Sequence, residues 1–249
     1  MLINNNDNRK IYRILSQEHF FQICKEKKNT LVLPREWVKN RRKWLQDPFE
    51  NFILRSTLKS ISTGEKGKFD SHDIAYAQCW TLNAASAAMW QIYSNGANAV
   101  KIKTTVDKLS NGLYNANPKW EGCYIGEVDY LTKSKLHELS QTIFKHGVTS
   151  EAIACSLLVK RRPYKYEKEV RLIYIIDSEK EKKKHVHSIY TYDIDPYDMI
   201  EEVVLSPHAT DDEYARFKER VTKCTSLADR QVKHSSLYHE PKGFTVIIP

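Results

Sequence analysis

Short segments rich in β-branched and aromatic residues recur along the chain, separated in irregular order by helical segments. Such composition favours β-strands, and the segments cover residues 12–15, 30–33, 77–82, 99–103, 124–130, 169–176, 186–192, 202–205 and 245–248. Helices are expected after Ser16 and Asn83, over residues 132–146, and from Asp195 and Thr210. A doubly wound parallel sheet would alternate strand and helix strictly. The sequence therefore predicts an α+β fold, with helices flanking a mostly antiparallel sheet that could also be split.

The length and composition are those of an ordinary globular protein. The chain has 249 residues, of which 41% are hydrophobic and 11% aromatic, too many for a disordered chain. We predict a single α+β domain over residues 1–249, with a basic insertion around residues 35–75. No apolar run reaches the roughly eighteen residues that a membrane helix needs. The polar start MLINNNDNRK lacks the apolar core of a signal peptide, so a cytoplasmic location and no membrane association are expected.

The charge balance favours an acidic partner. There are 39 Lys and Arg residues against 31 Asp and Glu residues, a net charge of +8, and such a surplus attracts phosphates at long range. The segment 35–43, REWVKNRRK, combines cations with tryptophan and suits base stacking and phosphate binding; the alternative is a solvated helix anchored by its tryptophans. The charged run 178–184 predicts a hairpin tip between two strands.

The densest group of chemically active side chains is YKYEKEVR at residues 164–171. On an extended strand Glu167, Glu169 and Arg171 would project from one face, because side-chain direction repeats every two residues. Three charges on one face indicate either an exposed ladder of ion pairs or the lining of a cleft. Beside the arginine, Glu169 would be oriented and kept ionised.

A second group lies at residues 79–93, where a strand ends and a helix begins. Thr81 and Asn83 stand at the turn, and Trp90 and Tyr93 follow on neighbouring helical turns. Such a corner could hold a flat ring between aromatic faces, although packing in the core also explains Trp90. Common nucleotide-binding and hydrolase motifs such as GxGxxG and GxSxG are absent. His185 and His187 could bind a metal, but their place beside a lysine run favours a surface role.

Several landmarks in their order resemble the bacterial family of unknown function DUF2971. They are Tyr12–Arg13, DPFE at 47–50, CWT at 79–81, MWxxY at 89–93, YEKEVRL at 166–172 and VVLSPHA at 203–209. The same order is similar to that of ADP-ribosyltransferases, which have an early Arg or His, a central strand with a hydroxyl or aromatic residue, and a late strand with a glutamate. The resemblance implies an ADP-ribosyltransferase-like fold.

The resemblance also implies a chemistry, with NAD as the cofactor consumed. Arg13 would bind the NAD phosphates or adenosine, and Thr81 and Tyr93 would hold the nicotinamide side. Glu169 would be catalytic, and the residues themselves leave Glu167 open as the alternative. Trp90 and Arg171 complete the expected cofactor site, and the scheme requires no metal. The acceptor would be RNA or DNA, approached through residues 35–43 or 160–162, with a protein acceptor as the alternative. A toxin or phage-defence role, with an antitoxin protein as partner, is expected.

Two other classes remain open from the sequence. The first is a metal-independent nuclease toxin, in which Glu169, Arg171 and His208 would act as general acid and base on a phosphodiester. The second is a non-catalytic module that binds nucleic acid or an acidic protein through its basic face. A transferase requires NAD and leaves a mass adduct on its acceptor, whereas neither alternative does.

Overall fold

The computed structural model describes residues 2, 7–39, 47, 49–60, 62–68, 73–94, 96–117, 122–176, 188–240, 243 and 245–248. The strands are β1 (Lys10–Ser16), β2 (Lys28–Val32), β3 (Thr57–Lys59), β4 (Lys66–Lys68), β5 (Ala75–Thr81), β6 (Ala99–Thr105), β7 (Cys123–Glu127), β8 (Asp129–Leu131), β9 (Val159–Arg161), β10 (Glu169–Ile175), β11 (Ile189–Asp193), β12 (Glu202–Leu205) and β13 (Val232–His234). The helices are α1 (Gln17–Glu26), α2 (Glu36–Lys39), α3 (Ala87–Tyr93), α4 (Val106–Ala116), α5 (Lys133–Thr142), α6 (Ser150–Ser156), α7 (Pro196–Met199) and α8 (Asp211–Cys224).

The main sheet is mostly antiparallel, which confirms the predicted α+β class. Its strand order is β11-β2-β5-β1-β6-β12-β13, and β10 pairs with both β5 and β7. The parallel pairs are β12 with β13 and β8 with β9. Strands β3 and β4 form a separate antiparallel pair inside the segment predicted as a basic insertion.

The sheet opens on one side of β5. Strand β10 pairs with β5 along its whole length, from Glu169 opposite Thr81 to Ile175 opposite Ala75. On the other side, within the described strands, β1 meets β5 at the single pair Tyr12–Thr81. Strand β2 also meets β5 at one pair, Val32–Ala77. Strands β1 and β5 therefore diverge from a junction at Thr81 and leave a gap between them.

Apolar side chains pack on both faces of this sheet. One cluster joins β1 and β6 to helices α1, α4 and α8, and includes the fully buried Ile11, Phe20 and Leu109. A second cluster packs helix α6 against β5 and β10 through Leu157 and Ile173. Burial of this kind supplies most of the favourable free energy of folding, so the two clusters hold the diverging strands in place.

The predicted helix starts are largely correct, because local hydrogen bonds determine them. Ser16, Thr132, Asp195 and Thr210 accept hydrogen bonds from the first turns of α1, α5, α7 and α8. The expected cap at Asn83 is wrong: Ser86 caps α3, and its hydroxyl accepts from Met89 N. The Asn83 amide instead donates to the Tyr166 carbonyl oxygen at 2.6 Å.

Two strand predictions are wrong. The hairpin expected between residues 169–176 and 186–192 does not form, since β11 pairs with β2 while β10 pairs with β5 and β7. Residues 245–248 form no strand, and Val246, Ile247 and Ile248 are at least 80% exposed.

The run 178–184 lies outside the described residues. No helix in the described parts is long and apolar enough to cross a membrane.

Candidate active site

A cleft of about 290 Å³ occupies the gap between β1 and β5. Its walls come from these two strands, from β2, from the first residue of β10, and from residues of α2 and α3. The lining residues are Tyr12, Arg13, Ile14, Thr30, Val32, Glu36, Trp37, Ala77, Gln78, Cys79, Trp80, Thr81, Met89, Tyr93 and Glu169. The sequence-predicted residues Arg13, Thr81, Tyr93 and Glu169 are thus brought together in one cleft.

Thr81 forms the apex of the cleft. Its backbone lies opposite Tyr12 on one side and Glu169 on the other. The Thr81 hydroxyl donates to the Glu167 carbonyl oxygen at 2.5 Å and accepts from Asn83 N at 3.0 Å. The first hydrogen bond ties the turn before Glu169 to the end of β5, and the second stabilises the turn that follows β5. Thr81 lines the cleft, but its hydroxyl maintains the local backbone.

Glu169 is a buried carboxylate held by two cations. It is 4% exposed, and its Oε2 accepts from Arg171 Nε at 2.7 Å while its Oε1 accepts from Lys160 Nζ at 2.8 Å. Burial alone would raise the pKa of Glu169, but the charges of Arg171 and Lys160 outweigh burial and hold that pKa well below its ordinary value. Glu169 therefore meets the cleft as an anion.

Glu167 does not extend from the strand, contrary to the sequence prediction. It ends a 3₁₀ turn, Arg162–Glu167, and Lys168 follows with φ 44°. The carboxyl is 2% exposed and lies behind the cleft lining. The Tyr93 hydroxyl donates to its Oε1 at 2.9 Å, and Lys160 donates to its Oε2. Burial and, to a smaller extent, the neighbouring Glu169 carboxylate raise the pKa of Glu167 to about 8.

Arg171 holds Glu169 from behind and does not line the cleft, so the predicted direct contact with a cofactor is not supported. Its guanidinium donates to the Leu157 carbonyl oxygen and to Glu50 Oε1, each at 2.6 Å. The Trp37 ring lies 4.7 Å from its Cζ. The side chain is 1% exposed. These contacts fix the guanidinium and, through it, the orientation of Glu169.

Lys160 and Glu50 are site residues that the sequence interpretation missed. Residues 160–162 were expected to be a basic surface, but Lys160 is 3% exposed and lies inside the carboxylate cluster. Parallel pairing of β9 with β8 places Lys160 opposite Tyr130, whose hydroxyl accepts from Glu169 N at 2.8 Å. Lysine is rarely buried unless it is paired. The sequence feature that could have identified Glu50 is its place in the DPFE landmark at residues 47–50.

Arg13, on β1, contributes the opposite charge to the lining of the same cleft. Among the described residues no carboxylate pairs with Arg13. The acidic groups near it are the weakly acidic thiol of Cys79 and phenol of Tyr192. Burial lowers the pKa of Arg13 to about 10, which still leaves the guanidinium charged at neutral pH. A partly buried cation without an acidic partner suits an anionic ligand.

The remaining walls are aromatic and amide side chains. Trp80 Nε1 donates to Gln78 Oε1 at 2.7 Å, and Gln78 Nε2 donates to Asn29 Oδ1 at 2.7 Å. These hydrogen bonds fix the wall of the cleft. Trp90, which was expected to contact the cofactor, is 1% exposed and lies outside the lining. Its ring faces Lys101, whose Nζ lies 6.0 Å from the ring centroid.

Other residues named from the sequence lie elsewhere. His208 is exposed, packs 5.2 Å from the Tyr238 ring, and does not line the cleft. The nuclease arrangement with Glu169 and Arg171 is therefore not assembled. Residues 40–46, with most of the basic stretch, and His185 and His187 lie outside the described residues. Within the described ranges no group of three or more His, Cys, Asp or Glu residues is arranged to hold a metal ion.

The family model described as "Protein of unknown function (DUF2971)" matches residues 89–172, about a third of the chain. The chain resembles that family. The matched part contains the MWxxY and YEKEVRL landmarks, with Tyr93, Glu167, Glu169 and Arg171, and it also contains Lys160. No curated protein matches the chain.

Among solved structures, DarT of Thermus sp. 2.9 aligns with the chain in several complexes. The complex with ADP-ribosylated ssDNA has a TM-score of 0.41 and 11% identity over 94% of this chain and 98% of that one. The NAD+ complex has a TM-score of 0.39 and 11% identity over 93% and 98%. The carba-NAD+ complex has a TM-score of 0.36 and 11% identity over 91% and 95%.

Proposed function

We propose that the protein is an NAD-dependent ADP-ribosyltransferase that modifies nucleic acid, with Glu169 as the catalytic residue. One observation carries this proposal: a buried, ionised carboxylate and an arginine without an acidic partner line the same cleft between diverging strands. A ligand that fits must offer an anionic group to Arg13 and an electron-poor centre to Glu169. NAD offers both, as its pyrophosphate and its nicotinamide-bearing ribose.

Arg13 would bind the pyrophosphate, because a guanidinium matches phosphate oxygens with two parallel hydrogen bonds. The flat rings of the ligand would lie among the aromatic residues that line the cleft, Tyr12, Trp37, Trp80 and Tyr93. The volume of about 290 Å³ suits part of a dinucleotide.

When bound, NAD supplies the ADP-ribosyl group, and nicotinamide leaves. Breaking that glycosidic bond develops positive charge on the ribose, as in glycoside hydrolysis. Glu169 stabilises this charge and accepts a hydrogen bond from a ribose hydroxyl, while Arg171 and Lys160 keep its carboxylate fixed and ionised. The buried surroundings of Glu169 exclude water and strengthen the attraction.

Nucleic acid is the acceptor class that the surface charge supports. The net charge is +8, and Arg162, Lys165 and Lys168 are exposed on the turn that leads into Glu169. Phosphates on this turn would bring a base to the cleft. Both RNA and DNA carry the phosphates that this surface would bind. A cytoplasmic toxin or phage-defence role with an inhibitory protein partner belongs to the same proposal.

The test incubates the purified protein with NAD labelled in the adenylate moiety and with separate pools of RNA, DNA and protein. Label is expected on a nucleic-acid pool, and Glu169→Gln should reduce its incorporation on the order of 10³-fold, as for loss of a central electrostatic group. Glu138→Gln changes an exposed glutamate on α5 and should transfer normally. Strand cleavage without NAD, or full transfer by Glu169→Gln, would refute the proposal.

A further inference from the structure

A second cavity lies beyond the end of β1, between helices α1 and α8, and we call it the α1–α8 pocket. Its volume is about 250 Å³, and its lining residues are Gln17, Asn98, Glu213, Arg216, Phe217 and Arg220. Gln17 and Asn98 meet there because they flank the last residue pair between β1 and β6. Helix α8 packs over them through Phe217, whose ring centroid lies 6.0 Å from that of Phe21 on α1. The pocket is therefore built on elements of the core.

Two arginines supply the positive charge of the α1–α8 pocket. Arg216 and Arg220 are four residues apart on α8, so they lie on one face of the helix, where like charges are destabilising. Both side chains are exposed. The cations of α8 that form ion pairs within the described residues are Lys218 and Lys223, with Asp229 and Glu219. The two arginines therefore form a cationic pair that a bound anion would stabilise.

The position of one guanidinium is fixed by an aromatic ring. The Cζ atom of Arg220 lies 3.9 Å from the ring centroid of Phe21, and a guanidinium in this position is attracted to the face of the ring. Phe21 is itself held by Phe217 in the core. Arg220 is thus oriented before a ligand binds, which reduces the entropy lost on binding.

Glu213 is the acidic residue among those that line the pocket, and its carboxylate is used at the start of α8. Its Oε2 accepts from Thr210 N at 2.7 Å and from the Thr210 hydroxyl at 3.1 Å. These hydrogen bonds, and to a smaller extent the charge of Arg216, lower the pKa of Glu213. One carboxylate cannot neutralise two guanidinium groups. The lining therefore keeps a net positive charge.

The α1–α8 pocket lies on the same face of the sheet as Arg13. Side-chain direction alternates along a strand, so Arg13 points to the same face of β1 as Ile11 and Leu15. Ile11 and Leu15 pack in the same apolar cluster as Phe217 of the pocket. Ser16 ends β1 three residues beyond Arg13, roughly 10 Å along an extended strand. The pocket therefore begins close to the cationic part of the cleft.

We propose that the α1–α8 pocket binds a backbone phosphate of the nucleic-acid acceptor, which extends the binding surface beyond the cleft. This inference rests on the proposed function. Phosphate suits the lining because a guanidinium matches its oxygens with two parallel hydrogen bonds. The amide groups of Gln17 and Asn98 supply further donors of the kind that contact nucleic-acid phosphates.

The basic turn Arg162–Glu167 and the pocket lie toward opposite ends of the part of β1 that lines the cleft. The turn is bonded to Thr81, which lies opposite Tyr12, and the pocket begins after Ser16. From Tyr12 to Ser16 is roughly 13 Å along the strand. About four nucleotide steps of 3.4 Å cover this distance, so one short single strand can contact both basic sites.

The test measures binding of a fluorescent single strand of about twelve nucleotides, as DNA and as RNA, by anisotropy without NAD. Arg216→Gln/Arg220→Gln should weaken binding about tenfold at low salt, as for loss of hydrogen bonds to a charged group. The slope of log affinity against log salt should become shallower by about 1.4, since each phosphate contact of a single strand contributes about 0.7. Lys223→Gln removes an exposed, paired lysine of the same helix and should bind normally.

A second variant separates charge from geometry. Arg216→Lys/Arg220→Lys keeps both charges but cannot form paired hydrogen bonds, so it should retain most of the salt dependence while binding more weakly than the wild type. Both arginines are exposed, and each variant should unfold cooperatively like the wild type. Wild-type affinity and salt dependence in the glutamine variant would refute the proposal. A mononucleotide that binds as tightly as the oligonucleotide would also refute it, because the pocket would then be a site for a free nucleotide.

Binding and transfer can fail separately. If the wild type transfers no label but the glutamine variant still loses affinity for the oligonucleotide, the proposed function fails and the phosphate site stands. If label is transferred to nucleic acid, the glutamine variant should raise KM for the acceptor and leave KM for NAD unchanged. An unchanged KM for the acceptor would overturn the phosphate site while the proposed function stands.

Discussion

Glu167 and Glu169 bind the same ammonium group of Lys160, yet only Glu169 lines the cleft. Lys168 separates them with a left-handed backbone (φ 44°), so one glutamate ends a 3₁₀ turn and the other begins β10. The two carboxyls therefore have different environments. One is held ionised by Arg171 and Lys160, and the other is protonated at neutral pH. Such a division of charge is characteristic of acids with distinct roles.

This division predicts how stability depends on pH. The pKa of Glu167 is about 8 in the folded protein against 4.5 in the unfolded chain, so between these values the folded state binds the extra proton. Stability from this group is complete below pH 4.5 and is lost as the pH rises to about 8. Glu167→Gln, which cannot ionise, should flatten this fall and raise Tm at pH 8.5 relative to the wild type.

The measurement is thermal unfolding of both proteins across this range of pH. Glu169 has the opposite sign: its lowered pKa stabilises the protein above the unfolded value and ceases to do so as the pH falls below it. The Glu169 contribution is therefore constant above neutral pH and does not mask the comparison. A wild-type Tm that falls between pH 4.5 and about 8 no more steeply than that of Glu167→Gln contradicts the assignment.

Arg13 is expected to contribute to ligand binding and not to stability. Because no described carboxylate pairs with it, Arg13→Met leaves no buried charge alone and should not lower Tm. Loss of charged hydrogen bonds, worth about 1.5–3 kcal/mol, should weaken NAD binding roughly tenfold to a hundredfold. Isothermal titration checks the affinity. Arg9→Met removes an exposed arginine paired with Asp7 and Glu127 and should bind NAD normally.

Trp37 should support the catalytic group through Arg171. Its ring lies 4.7 Å from the guanidinium and also lines the cleft. Trp37→Leu removes a buried cation–π contact worth about 1–2 kcal/mol, and the free energy of unfolding in urea should fall by that amount. Transfer should decrease on the order of tenfold as Arg171 and Glu169 lose their fixed orientation. Trp37→Phe retains a ring and should lose less of both.

Gly122 sets the approach of β7 to β10. It has φ +76°, and a Cβ there would lie 2.1 Å from the Ile175 carbonyl oxygen. Gly122→Ala forces the paired strands apart and should reduce the free energy of unfolding by about 3 kcal/mol or more. Gly64 has φ +71° with nothing within 4 Å of its Cβ position. Gly64→Ala should therefore cost only about 1 kcal/mol, for backbone strain alone.

Much of the local structure could be predicted from the sequence. The strands β1, β5, β6, β10 and β12 lie where β-branched and aromatic residues are concentrated. The caps at Ser16, Thr132 and Thr210 follow from hydrogen bonds between neighbouring residues. The partner of each strand could not be predicted this way. The expected β10–β11 hairpin is wrong because β11 pairs with β2, which is distant in sequence.

The candidate site was predicted in part. Glu169 next to Arg171 was visible as a charged pattern, and the two do bind each other. The sequence predicts that Lys160 is a surface cation, because lysine is usually exposed, whereas its burial results from packing against Glu50 and β10. The place of Trp90 on a helix predicts that it belongs to the site, but the adjacent face of that helix, with Met89 and Tyr93, lines the cleft.

The sequence by itself determined the α+β class through local propensities, and the charge surplus through its residue composition. Residue spacing determined the late strand with its glutamate and arginine. The tertiary structure alone decided that β1 and β5 diverge at Tyr12 and Thr81, that Lys160 is buried between two glutamates, and that Glu169 and Arg13 line one cleft. Strand pairing and burial depend on contacts between residues far apart in the chain, and short-range patterns carry no information about them.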